Sequence, residues 1–358
     1  MRILIDIGHP AHVHFFKHAI VELQQRSHEI IVTSRQKEFA LDLLDSLQLE
    51  HYPLSSLKKG GLVSLGFELV KRNTGLYKII RKHRPDIMTA IGGVTIAQVG
   101  KLCRIPSLVF YDTENAKLQN AITYPFASCV LVPRCYETWV PKKRHVRYDG
   151  YHELAYLHPA RFTPDREIAV AAGLDPQRDN FLIRLVSWQA NHDVGEKGLT
   201  TQTITQMIEK LAGLGHVMIS SESELPDSLQ QYRYTGPVED VHHVMAFCKL
   251  HLGESATMAS ESAVLGVPAM YIANTGRGYT NEQEKKYQLV SNIRELHWDK
   301  IEPVIDQLLQ TGTDTWSKRR QALLDDTIDV TRYIVDCIES WPDCLNDYQH
   351  QLYHPGKV

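Results

Sequence analysis

Residues 253–268, GESATMASESAVLGVP, decide how this chain is read. The apolar run Lys249-Leu250-His251-Leu252 leads in as a short strand, and Gly253 allows a sharp turn that a side chain would hinder. Ser255 or Thr257 can cap a helix, which Ala259, Ala263, Val264 and Leu265 continue until Gly266-Val267-Pro268 stops it. Small residues at such a turn let a ligand approach the backbone. A helix N-terminus aimed there offers unpaired N–H groups and partial positive charge, which suit a diphosphate. Gly253, Ser255, Ala256 and Thr257 are therefore candidate phosphate-binding residues. Glu261 lies about one turn further in, where a carboxylate can accept both hydrogen bonds of a ribose diol. An ordinary capped helix with a solvated Glu would need the same residues.

The surrounding segments repeat this strand–loop–helix grammar. Phe181–Val186 predicts a strand followed by the loop Ser187–Asp193, so Arg184 and Ser187 can meet a phosphate at its edge. A helix near 201–214 and a strand His216–Ser220 come next. Gly236-Pro237 followed by Glu239 and Asp240 reads as the start of a helix from Val241, whose backbone can read a base edge. His242-His243 reads as a surface and packing pair rather than a metal site. After the strand Ala269–Ala273, the Gly-flanked Arg277 should face the same crevice. The last 60 or so residues read as helices, including 301–309, 315–327 and 330–341.

The first half follows the same plan. Arg2–Ile7 alternates little and is mostly apolar, as expected of a buried parallel strand. The loop GHPAHVH follows, then a helix near 14–26 and the strand Glu29–Thr33. That order is a βαβ unit, whose first loop lies at the C-terminal edge of the sheet, where ligands of open α/β sheets bind. His12 can act there as a base or as a hydrogen-bonding group, or it is a plain loop residue. In an extended loop the side chains of His12 and His14 would diverge, and no third ligand is evident, which argues against a metal. The strand Pro85–Ile91 ends in Gly92-Gly93, and the strand Ser107–Tyr111 empties into Asp112-Thr113-Glu114. Alternation would send Asp112 and Glu114 to one side as acid/base candidates, unless they are only turn caps. Residues 133–165 have no clean period and read as a transition.

Whole-chain properties agree with two domains, at 1–155 and 156–358. The 358 residues are 43% hydrophobic and 23% charged, with a formal net charge of -3, which gives no reason to expect nucleic acid. Six scattered cysteines without a CxxC pair fit reduced thiols in the cytoplasm. The start MRILIDIGHP is not a signal peptide, and no apolar run approaches the roughly 20 residues of a membrane span. Residues 58–84 carry eight Lys or Arg against one Glu. The plain reading is a crossover helix pair with a solvated basic face; the alternative is peripheral contact with an anionic membrane surface.

Two consecutive α/β halves with Gly-bearing loops at strand ends resemble the GT-B fold of nucleotide-sugar enzymes. GHPAHVHFF is similar to the first loop of the N-acetylglucosaminyltransferase that makes peptidoglycan lipid II, with His12 on that family's loop histidine. RPDIMTAIGG and IPSLVFYDTENA resemble its strand–Gly-Gly and acceptor-loop segments. GPVEDVHHVMAFCKLHLGESATMASESAVLGVP resembles its nucleotide-binding segment, with Glu261 on the ribose-binding glutamate. The non-hydrolysing UDP-N-acetylglucosamine 2-epimerases share this plan, but the first loop here lacks their Arg-Pro-Glu pattern. The nearest resemblance is to a GT-B-like domain of unknown function found with prokaryotic surface-polysaccharide genes; YHELAYLHP and SWQANHDVGEKG look like its own features. A Ser-Gly pair of the lipid II enzyme is Glu254-Ser255 here, which adds a negative charge for Arg184, Arg277 or a lysine to balance.

The resemblance implies two Rossmann-like domains with parallel sheets facing a central cleft, and C-terminal helices packing back on the first domain. It implies a metal-independent glycosyltransferase without a cofactor, moving a sugar from a nucleoside-diphosphate donor, UDP first, to a saccharide or lipid-linked acceptor of the cell surface. His12, Asp112 or Glu114 would deprotonate the acceptor, at the inner face of the cell membrane. The alternatives are an epimerase-like enzyme acting on the donor alone and a non-catalytic nucleotide-sugar-binding protein.

Overall fold

The computed structural model of the protein describes residues 1–36, 44–45, 49–56, 62–186 and 198–345. The chain divides into two compact units: Met1–Tyr156 with the described residues from Ile328 onward, and Leu157–Thr327.

The first unit runs β1 (Arg2–Ile7), α1 (Pro10–Gln25), β2 (Glu29–Gln36), β3 (His51–Ser56), α2 (Leu62–His83), β4 (Ile87–Ile91), α3 (Val94–Cys103), β5 (Ser107–Phe110), α4 (Lys117–Thr123), β6 (Cys129–Pro133), β7 (His145–Tyr148) and α5 (Leu154–Leu157). Its seven strands lie in the order β3-β2-β1-β4-β5-β6-β7, and every pair is parallel. Helices cover such a sheet on both faces, so its middle strands must be apolar on both. Ile3, Leu4, Ile5, Leu108, Val109, Phe110, Val130, Leu131 and Val132 are accordingly buried. The winding reverses between β1 and β4, which makes their C-terminal ends the natural place for a ligand.

The second unit runs α6 (Arg166–Ala171), β8 (Asn180–Leu185), α7 (Thr201–Ala212), β9 (His216–Ser221), α8 (Val241–Ala246), β10 (Leu250–Gly253), α9 (Ala256–Leu265), β11 (Ala269–Ile272), α10 (Gly278–Lys285), β12 (Val290–Ile293), α11 (Trp298–Gln310) and α12 (Thr313–Asp325). The parallel order is β12-β11-β10-β8-β9, with the reversal between β8 and β10. The last described helix, α13 (Val330–Glu339), belongs to the first unit. Thr331 Oγ1 donates to the Ala155 carbonyl at 2.6 Å, Glu339 takes Arg26 at 2.5 Å, and the Tyr333 ring lies 4.9 Å from that of Tyr148. Of the C-terminal helices expected on the first domain, α13 is there; α11 and α12 stay with the second unit.

Several local expectations change. The first loop is short, because α1 begins at Pro10, a residue suited to the first helical position, and the His9 ring caps it by accepting from the Ala11 N–H. His12 and His14 therefore stand on a helix. β5 ends at Phe110, so strand alternation does not govern Asp112 and Glu114; they occupy the turn before α4. The transition near 133–165 contains a strand, β7, and β3 and β12 were not foreseen either.

Candidate functional site

Each unit gathers its candidate residues at the C-terminal edge of its own sheet, and each set is built separately.

In the second unit, β10 passes through Glu254 to Ser255, which caps α9: the Met258 N–H donates to Ser255 Oγ at 3.3 Å. The N–H groups of Ala256 and Thr257 precede the intrahelical ladder, so the positive end of α9 opens at the β8/β10 reversal. Gly253 is required for a different reason than ligand approach. Its φ is +146°, and an added Cβ would fall on the carbonyl of Arg184 in the neighbouring strand. The backbone that comes close is that of β8.

Glu254 has backbone donors of its own. It is buried, and its carboxylate accepts the N–H of Val186 at 3.0 Å and that of Leu199 at 2.6 Å. Glu261 is also buried, 6% exposed, and its Oε1 lies 3.0 Å from Nε2 of His242 on α8, itself 4% exposed. His242, expected at the surface, is thus an inward partner of the candidate ribose glutamate. Its neighbour His243 accepts from the Asp165 N–H at 2.9 Å and packs on Phe162. Val241 opens α8 and is half-buried.

The two arginines are held inside the fold. Arg184 stands opposite Ser220 in the β8/β9 ladder; it donates to Ser220 Oγ and to Glu222 Oε1, both at 2.7 Å. Arg277 precedes α10 with its guanidinium against Thr275 Oγ1, at 3.3 Å, and the Gly276 carbonyl, at 3.1 Å. Both are thereby fixed near the sheet edge rather than swinging in solvent. Ser187 lies outside the described residues. Burial holds the neighbouring His251 of β10 down to about 4, with the Arg184 charge acting the same way and the Glu261 charge against it.

In the first unit, the Gly8 N–H donates to His12 Nδ1 at 3.2 Å, so in the neutral ring the proton sits on Nε2. Asp112 follows β5. Thr113 Oγ1 donates to its Oδ1 at 3.1 Å, and its Oδ2 lies 3.1 Å from Nδ1 of His152. His152 follows β7, and the Phe15 ring of α1 packs on it at 4.5 Å between centroids. Glu114 is half-buried in the turn. Tyr136 lies near both Glu114 and Asp112, its hydroxyl 3.0 Å from that of Tyr124 and from Asn120 Nδ2; burial pushes the Tyr136 phenol up, and the two carboxylate charges add to it. The structure therefore joins Asp112 to His152, a residue that sequence reasoning noticed only within YHELAYLHP. No spacing signal could have paired residues on strands two apart in the sheet.

No group of three or more His, Cys, Asp or Glu among the described residues could hold a metal ion. No helix among them is long and apolar enough to cross a membrane.

The chain belongs to the DUF354 family, described as a protein of unknown function, whose match covers residues 1–340. An uncharacterized protein of Methanocaldococcus jannaschii is 22% identical over 278 residues, which cover 74% of this chain and 80% of that protein. Among solved structures, the UDP-GlcNAc 2-epimerase of Neisseria meningitidis bound to UDP-GlcNAc superposes with a TM-score of 0.63 at 12% identity, over 95% of this chain and 100% of that one. The MurG protein of Acinetobacter baumannii does so with a TM-score of 0.59 at 15% identity, over 95% and 99%. The chain thus has the GT-B fold.

Proposed function

We propose, from the fold and the geometry above, that the protein is a metal-independent GT-B glycosyltransferase. The second unit holds a nucleoside-diphosphate sugar, with UDP as the nucleotide. The first unit holds a saccharide or lipid-linked acceptor of cell-surface polysaccharide or glycolipid synthesis. The observation that carries this reading is the β10–α9 junction: a capped helix N-terminus at the sheet's reversal point, with Glu261 buried along the same helix and held by His242. The amides of Ala256 and Thr257 take the diphosphate, the Glu261 carboxylate takes the ribose, and backbone at Val241 takes the base. Arg184 and Arg277 supply fixed positive charge, and Ser187 is a further phosphate contact. The UDP-GlcNAc bound to the Neisseria protein supports the choice of nucleotide.

For a lipid-linked acceptor, α2 offers support. Phe67, Val70 and Tyr77 of α2 are 74%, 64% and 42% exposed. They alternate with exposed Lys71, Lys78, Arg81 and Lys82, and no exposed acid interrupts them. Apolar anchors ringed by cations suit the headgroup region of an anionic bilayer, which supports peripheral contact with the inner membrane face. Residues 58–61 of the basic stretch lie outside the described residues.

The test is a melting-temperature screen against UDP, GDP, CMP, dTDP and their sugars. A ligand at 100 times its dissociation constant adds about 2.7 kcal/mol of stability. A selective shift with UDP and UDP-sugars is expected, and no shift with any nucleotide refutes the reading. Conversion of UDP-GlcNAc in the absence of any acceptor would favour a donor-only enzyme instead.

A further inference from the structure

The Asp112–His152 pair has the form of a base with its orienting carboxylate. Nδ1 of His152 lies 3.1 Å from Asp112 Oδ2, so the Nδ1–H donates to the carboxylate and the lone pair is left on Nε2. His152 is 7% exposed, and its Nε2 is buried with no hydrogen-bond partner among the described residues. A buried acceptor left unmatched costs stability, so it calls for an explanation. The ring is held in place, because Asp112 takes one edge and the Phe15 ring packs on it, tilted, with the centroids 4.5 Å apart. His12, one of the three residues expected as a base with Asp112 and Glu114, has the opposite arrangement: its Nδ1 lone pair is taken by the Gly8 N–H, so the neutral ring presents an N–H. One histidine is set up to accept a proton and the other to donate a hydrogen bond.

The sheet explains how the pair forms. β5, β6 and β7 are neighbours and parallel, so the segments after β5 and β7 emerge at one edge, carrying Asp112 and His152. Tyr148, at the end of β7, is fully buried beside the pair; burial pushes its phenol well up, and the Asp112 charge adds to this. It stays a neutral neighbour that cannot compete for the proton.

We propose that His152, oriented by Asp112, is the catalytic base that accepts the proton of the acceptor hydroxyl, with His12 acting as a hydrogen-bond donor and not as the base. This rests on the transferase reading. In the step, the acceptor O–H bond breaks and its proton goes to His152 Nε2. The freed oxygen pair forms the new bond to the anomeric carbon. The bond from that carbon to the diphosphate oxygen breaks, and its electron pair leaves with the nucleoside diphosphate. The imidazolium so formed is stabilised by the Asp112 carboxylate, which acts as a positioning residue.

Two measurements on the full chain test this. The first follows UDP release from UDP-GlcNAc with octyl glycosides as acceptors, beside the melting shift that UDP-GlcNAc induces. His152→Gln should cut turnover at least 100-fold while the donor-induced shift is kept. Asp112→Asn should do the same through kcat rather than the donor KM, because the Asn amide donates to Nδ1 and moves the ring proton to Nε2. The second is ¹⁵N NMR of histidine-labelled protein: the neutral His152 ring should carry its proton on Nδ1, and on Nε2 in Asp112→Asn. Turnover by His152→Gln within threefold of wild type, with the donor shift present, overturns the proposal and leaves the transferase reading standing. A wild-type chain whose melting no nucleotide sugar moves removes the transferase reading itself. Where octyl glycosides give no turnover, the tautomer decides: a His152 proton on Nε2 in the wild type overturns the assignment.

Discussion

Replacing Glu261 is the obvious way to probe the nucleotide site, and the structure predicts that the choice of replacement decides what is learned. Glu261 Oε1 and His242 Nε2 are 3.0 Å apart, and both residues are more than nine-tenths buried. Glu261→Ala deletes the acceptor and leaves a buried ring nitrogen without it. Stranding one member of such a bond costs about 1–3 kcal/mol. The bond ties α8 to α9, both inside the unit Leu157–Thr327, and for a body of that size each kcal/mol moves the melting temperature by about 2–4 °C. The alanine variant should therefore melt about 2–12 °C lower even without nucleotide. Glu261→Gln keeps an oxygen that can accept from His242 and removes only the charge, so it should melt near the wild type while binding the ribose more weakly. A double-mutant cycle with His242→Ala in differential scanning calorimetry isolates the pair; a coupling of about 1–3 kcal/mol is expected. An alanine variant that melts within 1 °C of wild type, with coupling below about 0.3 kcal/mol, would refute the pairing and the argument that His242 preorients the glutamate.

Gly253→Ala should destabilise the second unit by about 2–5 kcal/mol, since a Cβ there meets the Arg184 carbonyl and the backbone sits at positive φ; an unchanged melting curve would contradict the close approach of β8. His251, held at about 4 against an ordinary 6.5, makes folding pH-dependent in a definite direction. Its unfolded form takes up a proton first, so this contribution is complete above pH 6.5 and is lost at about 1.4 kcal/mol per pH unit as the pH falls toward 4. Urea titrations of His251→Leu should show that slope reduced, and an unaltered slope would rule the residue out. Reversing Lys71 and Lys78 to Glu should weaken sedimentation with phosphatidylglycerol vesicles by about 1 kcal/mol or more per site and leave phosphatidylcholine vesicles unaffected. Equal binding of the wild type to both lipids would discard the membrane face.

Much of the architecture is legible in one dimension because parallel strands covered on both sides must be apolar throughout. RILIDI, IMTAI, CVLVP and NFLIRL announce themselves, and the glycines and caps between them mark where each strand gives way to a helix. The strands that escape notice are HYPLSS, HVRY and VSNI, and all three lie at the outer edges of their sheets. An edge strand has a neighbour on one side only and needs fewer apolar residues, so its signal is weak. The β10–α9 junction is also local, since a helix cap and the small residues around it are written within a few positions. Its glycine is not: Gly253 is demanded by β8, a strand almost 70 residues away in sequence.

Side-chain partnerships followed the same division. Sequence alone determined that the chain repeats a strand–loop–helix plan, that carboxylates and histidines gather at strand ends, and that Ser255 or Thr257 starts a helix carrying Glu261. Only the tertiary structure decided which group each residue faces. Strand register set Arg184 beside Ser220, the packing of α8 on α9 gave Glu261 to His242, and two parallel steps across the first sheet gave Asp112 to His152. The physical reason is that periodicity reports which face of an element is buried, whereas the partner met on that face depends on how distant elements pair in the sheet.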